Sequence, residues 1–206
     1  MTQHAYQNIK GKAAQLFHDK GYHAASMEDL ANAVGIKKGS LYYYVQRKDQ
    51  LLFEIAEEFP LKYAADLRAL SDDTRLSAEQ KIRMAIENHF ELFETEEGLA
   101  SSNVFLLEYK ALPDMYRDKI LEQRQQYEDA FRQLITKGIE QGEFSKIDAG
   151  MAARAILGMC NWATQWYSTE GKRSAAEIAS VFADLVLKGL LVGRDSDTRD
   201  SEPRTV

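Results

Sequence analysis

An all-α fold is predicted: a small N-terminal head of three helices over residues 1–47, a larger helical body over residues 48–192, and a polar tail over 193–206. Three observations predict it. Apolar residues recur at helical spacing along most of the chain, with neither strand-like alternation nor hairpin dipeptides. There are only three prolines in 206 residues. Ser26, Ser77 and Ser174 each stand three residues ahead of an acidic or amide side chain, which suits a capped helix N-terminus.

In the head, Ile9, Ala13, Leu16 and Phe17 share the inner face of a first helix that stops at Gly21. Ser26 caps the second, with Asp29 placed to reach back to the cap and Met27, Leu30, Ala31 and Val34 on one face. Val34-Gly35-Ile36 turns the chain where a glycine takes a left-handed backbone angle most cheaply. Lys37-Lys38-Gly39-Ser40-Leu41-Tyr42-Tyr43-Tyr44 then forms a third helix too short to bury much, so a partner explains its side chains better than a core does. Lysine charge and serine and tyrosine hydroxyls suit phosphate oxygens, and Gly39 lets the backbone approach a groove closely. The pair reads as a helix-turn-helix facing double-stranded DNA.

The body opens with a helix from Lys48 to about Leu70 that joins it to the head, and Pro60 inside it predicts a kink. Residues 71–77 are a polar break, after which Ile82, Ile86, His89, Phe90 and Phe93 mark one helical stripe. Gly98 marks another break, residues 99–110 a further helix, and Pro113 resets the chain. A long helix with Ile120, Tyr127, Phe131, Leu134 and Ile135 inward runs to about Gln141 and ends at Gly142. Asp148 opens a helix reaching about Ser168, and Ser174 to Val192 form the last, with a Ser174/Glu177 capping box. The final stretch from Gly193 has too little apolar content for a core and reads as disordered.

The last two helices are apolar on more than one side. Met151, Ala155, Met159, Trp162 and Trp166 line one face of the first while Ile156, Ala163 and Tyr167 line another; Val181, Phe182 and Leu185 are joined by Val186, Leu187, Leu190 and Leu191 in the second. Such helices need two apolar neighbours, most simply the domain core and a second subunit, so a homodimer joined by a four-helix interface is expected. A polar line of Arg154, Asn161 and Gln165 runs beside the tryptophans, and Arg124 interrupts the inward stripe of the long helix. Polar groups in such places need partners, either within the core and interface or on a ligand. His89 reads as a core histidine, Cys160 as a small buried hydrophobe, and Met84, Met115 and Met159 as core filling with an acyl-chain wall as the alternative.

The order and spacing of Ser26 to Leu52, with Ile9 to Tyr22 and its Phe-x-x-x-Gly-Tyr ending, resemble the N-terminal domain of the TetR family of one-component bacterial repressors. The family's frequent Leu-Tyr-Tyr-His-Phe box reads Leu41-Tyr42-Tyr43-Tyr44-Val45 here. The resemblance implies DNA contacts from Ser26, Lys37, Lys38, Ser40, Tyr42, Tyr43 and Lys48, with Tyr44 in the place of a histidine phosphate contact. Gly158 to Tyr167, followed by Ser174 to Leu190, resembles the C-terminal domain of TetR-family repressors of fatty-acid, branched-chain or steroid degradation, which respond to acyl-coenzyme A thioesters. Many of those carry arginine before the second tryptophan, where Gln165 stands here. The implied effector is small and hydrophobic, an acyl-coenzyme A thioester or an uncharged compound, and the ligand candidates are Arg124, Arg154, Asn161, Trp162, Gln165 and Trp166.

Charge distribution agrees with a DNA-facing head. The chain carries −6 overall, yet its first fifty residues hold seven Lys and Arg against four Asp and Glu, so an acidic body carries a basic head. An enzyme is disfavoured: residues 35–40 lack the spacing of a phosphate-binding loop, no His-Glu-x-x-His occurs, and four scattered histidines with one cysteine make no metal site. A helical interaction protein would explain the dimer surfaces but not the lysine and tyrosine box. No cofactor is expected. With residues 1–20 polar and amphipathic, and no run near the roughly 18 apolar residues of a membrane helix, the expectation is a cytoplasmic protein that does not enter a membrane.

Overall fold

Each of the three serine caps starts a helix. In the computed structural model, which describes residues 2–191, Ser26 Oγ accepts from Asp29 N at 3.1 Å while Ser26 N donates to the Asp29 carboxylate at 3.0 Å. Ser77 with Gln80, and Ser174 with Glu177, close the same reciprocal box. Among the described residues the regular structure is nine α-helices and three short 3₁₀ segments.

The head comprises α1 (Thr2–Lys20), α2 (Met27–Val34) and α3 (Lys38–Tyr44). Ile9, Ala13, Ala14 and Phe17 are buried on α1, Leu30 and Ala31 on α2, and Leu41 alone on α3. Gly35 ends α2 at φ 77°, a backbone angle at which any side chain is strained. The body is organised around α4 (Lys48–Asp72), whose 25 residues span about 38 Å at 1.5 Å each. It packs against α5 (Ala78–Glu91), α6 (Glu96–Leu107), α7 (Asp114–Glu140) and α1 of the head. The Pro60 ring removes one backbone donor, yet α4 continues through it. The carbonyl end of α4 receives two ammonium groups, Lys81 on the Ser71 carbonyl at 3.0 Å and Lys137 on Ser71 Oγ at 2.8 Å, which complement the helix dipole.

On the outside, α8 (Ala149–Trp162) lies on α7 and α9 (Ala175–Leu190) on α5. Inside, Phe59 of α4 meets His89, Phe105 and Tyr127, and His89 Nδ1 pairs with Tyr127 Oη at 2.9 Å. Burial pushes the His89 pKa down to about 4, so it stays neutral in the core as expected.

Two helix boundaries differ from expectation. Gly98 is not a break: it lies buried in the first turn of α6, which Thr95 caps, and a Cβ there would come within 2.1 Å of the Leu92 carbonyl oxygen. The glycine permits a close approach instead of a stop. Nor does the helix from Asp148 reach Ser168. It gives way at Trp162 to a 3₁₀ segment, Ala163–Gln165, where Thr164 Oγ1 donates to the Asn161 carbonyl and Asn103 Nδ2 to that of Thr164. Side chains thus satisfy carbonyls that a longer helix would have bonded. Val192 and the tail over 193–206 lie outside the described residues.

Candidate DNA-contacting face and effector groove

Helix α3 has one fully buried residue, Leu41, and a second, Tyr44, packed partly against the core; the rest of it faces outward. Lys37, Lys38, Gly39, Ser40, Tyr42 and Tyr43 are exposed, Tyr43 at 81%. Tyr44 separates from this set: it is half-buried against the core with its ring edge-on to Tyr43 at 5.4 Å. Lys38 meets Glu28 at 3.3 Å in a surface pair that costs little to exchange for a phosphate. Ser26 is exposed and engaged with Asp29, whose carboxyl is held down to about 2 by bonds from Ser26 and Lys20.

Lys48 has partners inside the head. Its ammonium donates to the carbonyls of Tyr22 and Ala25, each at 2.7 Å, and sits 4.2 Å from the centre of the Tyr22 ring. Burial lowers its pKa. Two of its three donors are therefore engaged inside the head, where they tie the α1–α2 turn to the start of α4. Further ties fix the head on the body: Tyr6 to Glu54, Lys10 to Glu58 at 2.7 Å, and the Tyr22 amide to Glu108 at 3.2 Å. Residues so far apart in the chain carried no sequence signal of meeting.

The six ligand candidates fall into two groups. Arg124, Arg154 and Asn161 come together on a groove of about 370 Å³ between α6, α7 and α8, floored by Phe105, Tyr127 and Leu157. The Arg124 guanidinium lies 4.8 Å from the Tyr109 ring centre and 5.2 Å from that of Phe105, and its Nη1 is buried without a hydrogen-bond partner. Arg154 pairs with Glu128 at 2.8 Å at the mouth. Trp162, Gln165 and Trp166 do not share this groove, because the helix ends before the last two can stay on its face. Gln165 donates to Asn103 Oδ1 at 3.0 Å, and Trp166 lines a separate apolar cavity of about 420 Å³ with Phe182, Val181 and Ile178.

Trp162, at 66% exposure, and Met151 on α8, with Val181 and Leu185 on α9, are large apolar side chains left exposed on the two last helices. Leu187 and Leu190, expected to add to them, are buried in the protomer's own core instead. Met84, Met115 and Met159 form no common wall of the groove; Met84 and Met115 are exposed, not core filling. Cys160 is fully buried, with its thiol pushed up to about 12 by burial, and stays protonated. Among the described residues no cluster of His, Cys, Asp or Glu has the makings of a metal site, and no helix is long and apolar enough to cross a membrane.

Residues 11–55 match the family model for bacterial regulatory proteins of the tetR family, and residues 75–190 that for the tetracyclin repressor-like C-terminal domain. The chain belongs to the TetR family. A TetR-family transcriptional regulator from Thermus thermophilus, PfmR, is 34% identical and superposes with a TM-score of 0.79, over 88% of this chain and 97% of that one. The fatty acid metabolism regulator protein of Bacillus subtilis is 24% identical over 189 residues, 90% of this chain and 95% of its own. AibR, solved in complex with isovaleryl coenzyme A and operator DNA, shares the fold at a TM-score of 0.77, with 24% identity over 90% of this chain and 99% of that one. This TetR-family chain is thus a transcriptional regulator in the company of regulators of lipid metabolism.

Proposed function

We propose that the protein is a ligand-released repressor: a homodimer whose heads, residues 1–47, bind a palindromic operator, and whose bodies, residues 48–192, bind an acyl-coenzyme A thioester. The exposed row from Lys37 to Tyr43, on a short helix anchored by Leu41 and the half-buried Tyr44, carries the reading. It presents two cations, three hydroxyls and a bare backbone at Gly39 to a major groove, with Ser26 beside it. Tyr44 contributes by packing Tyr43, and Lys48 by holding the turn behind α2. The apolar surface of α8 and α9 supports the dimer, since Trp162 and Leu185 are otherwise left in water. The operator is in the cytoplasm, which is where this function is carried out.

For the effector, the groove offers Arg124 and Arg154 to phosphate or thioester oxygens and Phe105 and Leu157 to a chain. The relatives that regulate fatty-acid metabolism or hold isovaleryl coenzyme A point to the same ligand class. A second reading, an uncharged hydrophobic effector, draws on the apolar cavity at Trp166 and Phe182. Native mass spectrometry of the purified protein, followed by thermal shifts with acyl thioesters on wild type and Arg124→Ala, separates them. Stabilisation by a thioester that Arg124→Ala abolishes supports the first reading. Stabilisation only by neutral compounds, indifferent to Arg124, replaces it with the second.

A further inference from the structure

Two cavities of the body share one aromatic wall. The groove is lined by Phe105 and Tyr127; a second cavity, of about 280 Å³ between α4, the 3₁₀ segment Leu92–Glu94 and the start of α6, is lined by Ile55, Phe59, Tyr63 and Leu92. The Phe59 ring belongs to the second cavity, yet its centre is 5.1 Å from that of Phe105 and 5.8 Å from that of Tyr127. These are ring-to-ring contacts, so two rings in contact stand between the two spaces, with Phe105 and Tyr127 on the groove side and Phe59 on the side of the second cavity. Phe59 also sits on a turn of α4 that lacks a hydrogen bond, because Pro60 follows it and supplies no amide for the carbonyl four residues earlier.

The second cavity borders the groups that hold the head. Glu58 on its wall accepts from Lys10 of α1 at 2.7 Å. Glu97, on the same wall, lies so close to α1 that a Cβ at Gly11 would stand 2.2 Å from its carboxylate. An occupant of this space therefore presses on the α1–α4 and α1–α6 contacts, whereas an occupant of the groove alone does not reach them.

We propose that Phe59 is a gate and the cavity behind it the tail chamber of the effector site, so that a linear acyl chain anchored at Arg124 must pass Phe59 to signal. This rests on the effector reading above. A short chain fills the groove equally well in both states of the head and shifts nothing; a long one binds better when α4 has yielded at Pro60 and the Glu58 and Glu97 contacts have loosened. Phe59 thereby sets the chain length that releases DNA.

The test compares butanoyl-, octanoyl- and hexadecanoyl-coenzyme A on wild type, Phe59→Ala and Phe59→Trp, with Phe59→Leu as a milder opening should the alanine variant fail to fold. Binding is read by thermal shift and calorimetry, release by anisotropy of labelled operator. In wild type all three bind and release grows with chain length. Opening the gate raises hexadecanoyl affinity about tenfold and leaves butanoyl affinity unchanged, and Phe59→Trp does the reverse to the long chain. If short and long chains release equally, and the Phe59 variants change both alike, the gate is wrong while the effector reading stands. If no thioester binds wild type at all, both are wrong.

Discussion

Replacing Lys48 by Met tests whether this lysine works inside the head or on DNA. Met keeps the apolar stem but removes two hydrogen bonds of 2.7 Å to the Tyr22 and Ala25 carbonyls and the cation above the Tyr22 ring. Bonds from a charged donor contribute about 1.5–3 kcal/mol each when buried; Lys48 is only partly buried, so the low end applies and the loss comes to about 3 kcal/mol. For a chain of this length that lowers the apparent melting temperature by about 6–12 °C. Because the ammonium is engaged away from phosphate, the salt dependence of DNA binding by the folded variant should match wild type. Calorimetric melting and operator titrations at several salt concentrations measure both. An unchanged melting temperature together with a shallower salt dependence would refute the reasoning and return Lys48 to the DNA surface.

Leu185→Asp places a charge on the exposed apolar surface of α9, and sedimentation should show a folded monomer with red-shifted tryptophan emission, since Trp162 then stays in water. The buried Leu190 is the control: Asp there unfolds the protomer instead. Arg124→Ala removes the guanidinium between Phe105 and Tyr109, and calorimetry should find acyl thioester affinity at least about tenfold weaker with operator affinity intact. His89 sets an acid limit. Its pKa is about 4 in the fold against an ordinary 6.5, so its stabilising share is complete above pH 6.5 and is lost as pH falls toward 4. Urea unfolding should give about 2 kcal/mol less at pH 5 than at pH 7.5, and His89→Leu should flatten that difference.

The local features of the fold were legible because their causes are local. Ser26 with Asp29, Ser174 with Glu177 and the left-handed Gly35 each act within a few residues, and the structure places them as read. Gly98 misled because glycine serves both turns and close approaches, and only the Leu92 carbonyl across the 3₁₀ segment distinguishes the two. The candidate effector residues were legible in part. Arg124, Arg154 and Asn161 meet because α7 and α8 are regular, but Trp166 was carried along a helix that stops at Trp162 through bonds from Asn103, some sixty residues away in sequence. The bonds of Lys48 were not legible for the same reason, since the Tyr22 and Ala25 carbonyls reach it only once α1 and α2 have closed on α4.

The most direct test of a DNA-reading α3 is selection of bound duplexes from a random pool, followed by affinity against salt for wild type and Lys37→Ala. The account predicts an enriched palindrome and a log–log salt slope that becomes shallower by about two in the variant, one phosphate contact being lost from each head of the dimer. Selection that enriches no sequence, or a slope indifferent to Lys37, would contradict it.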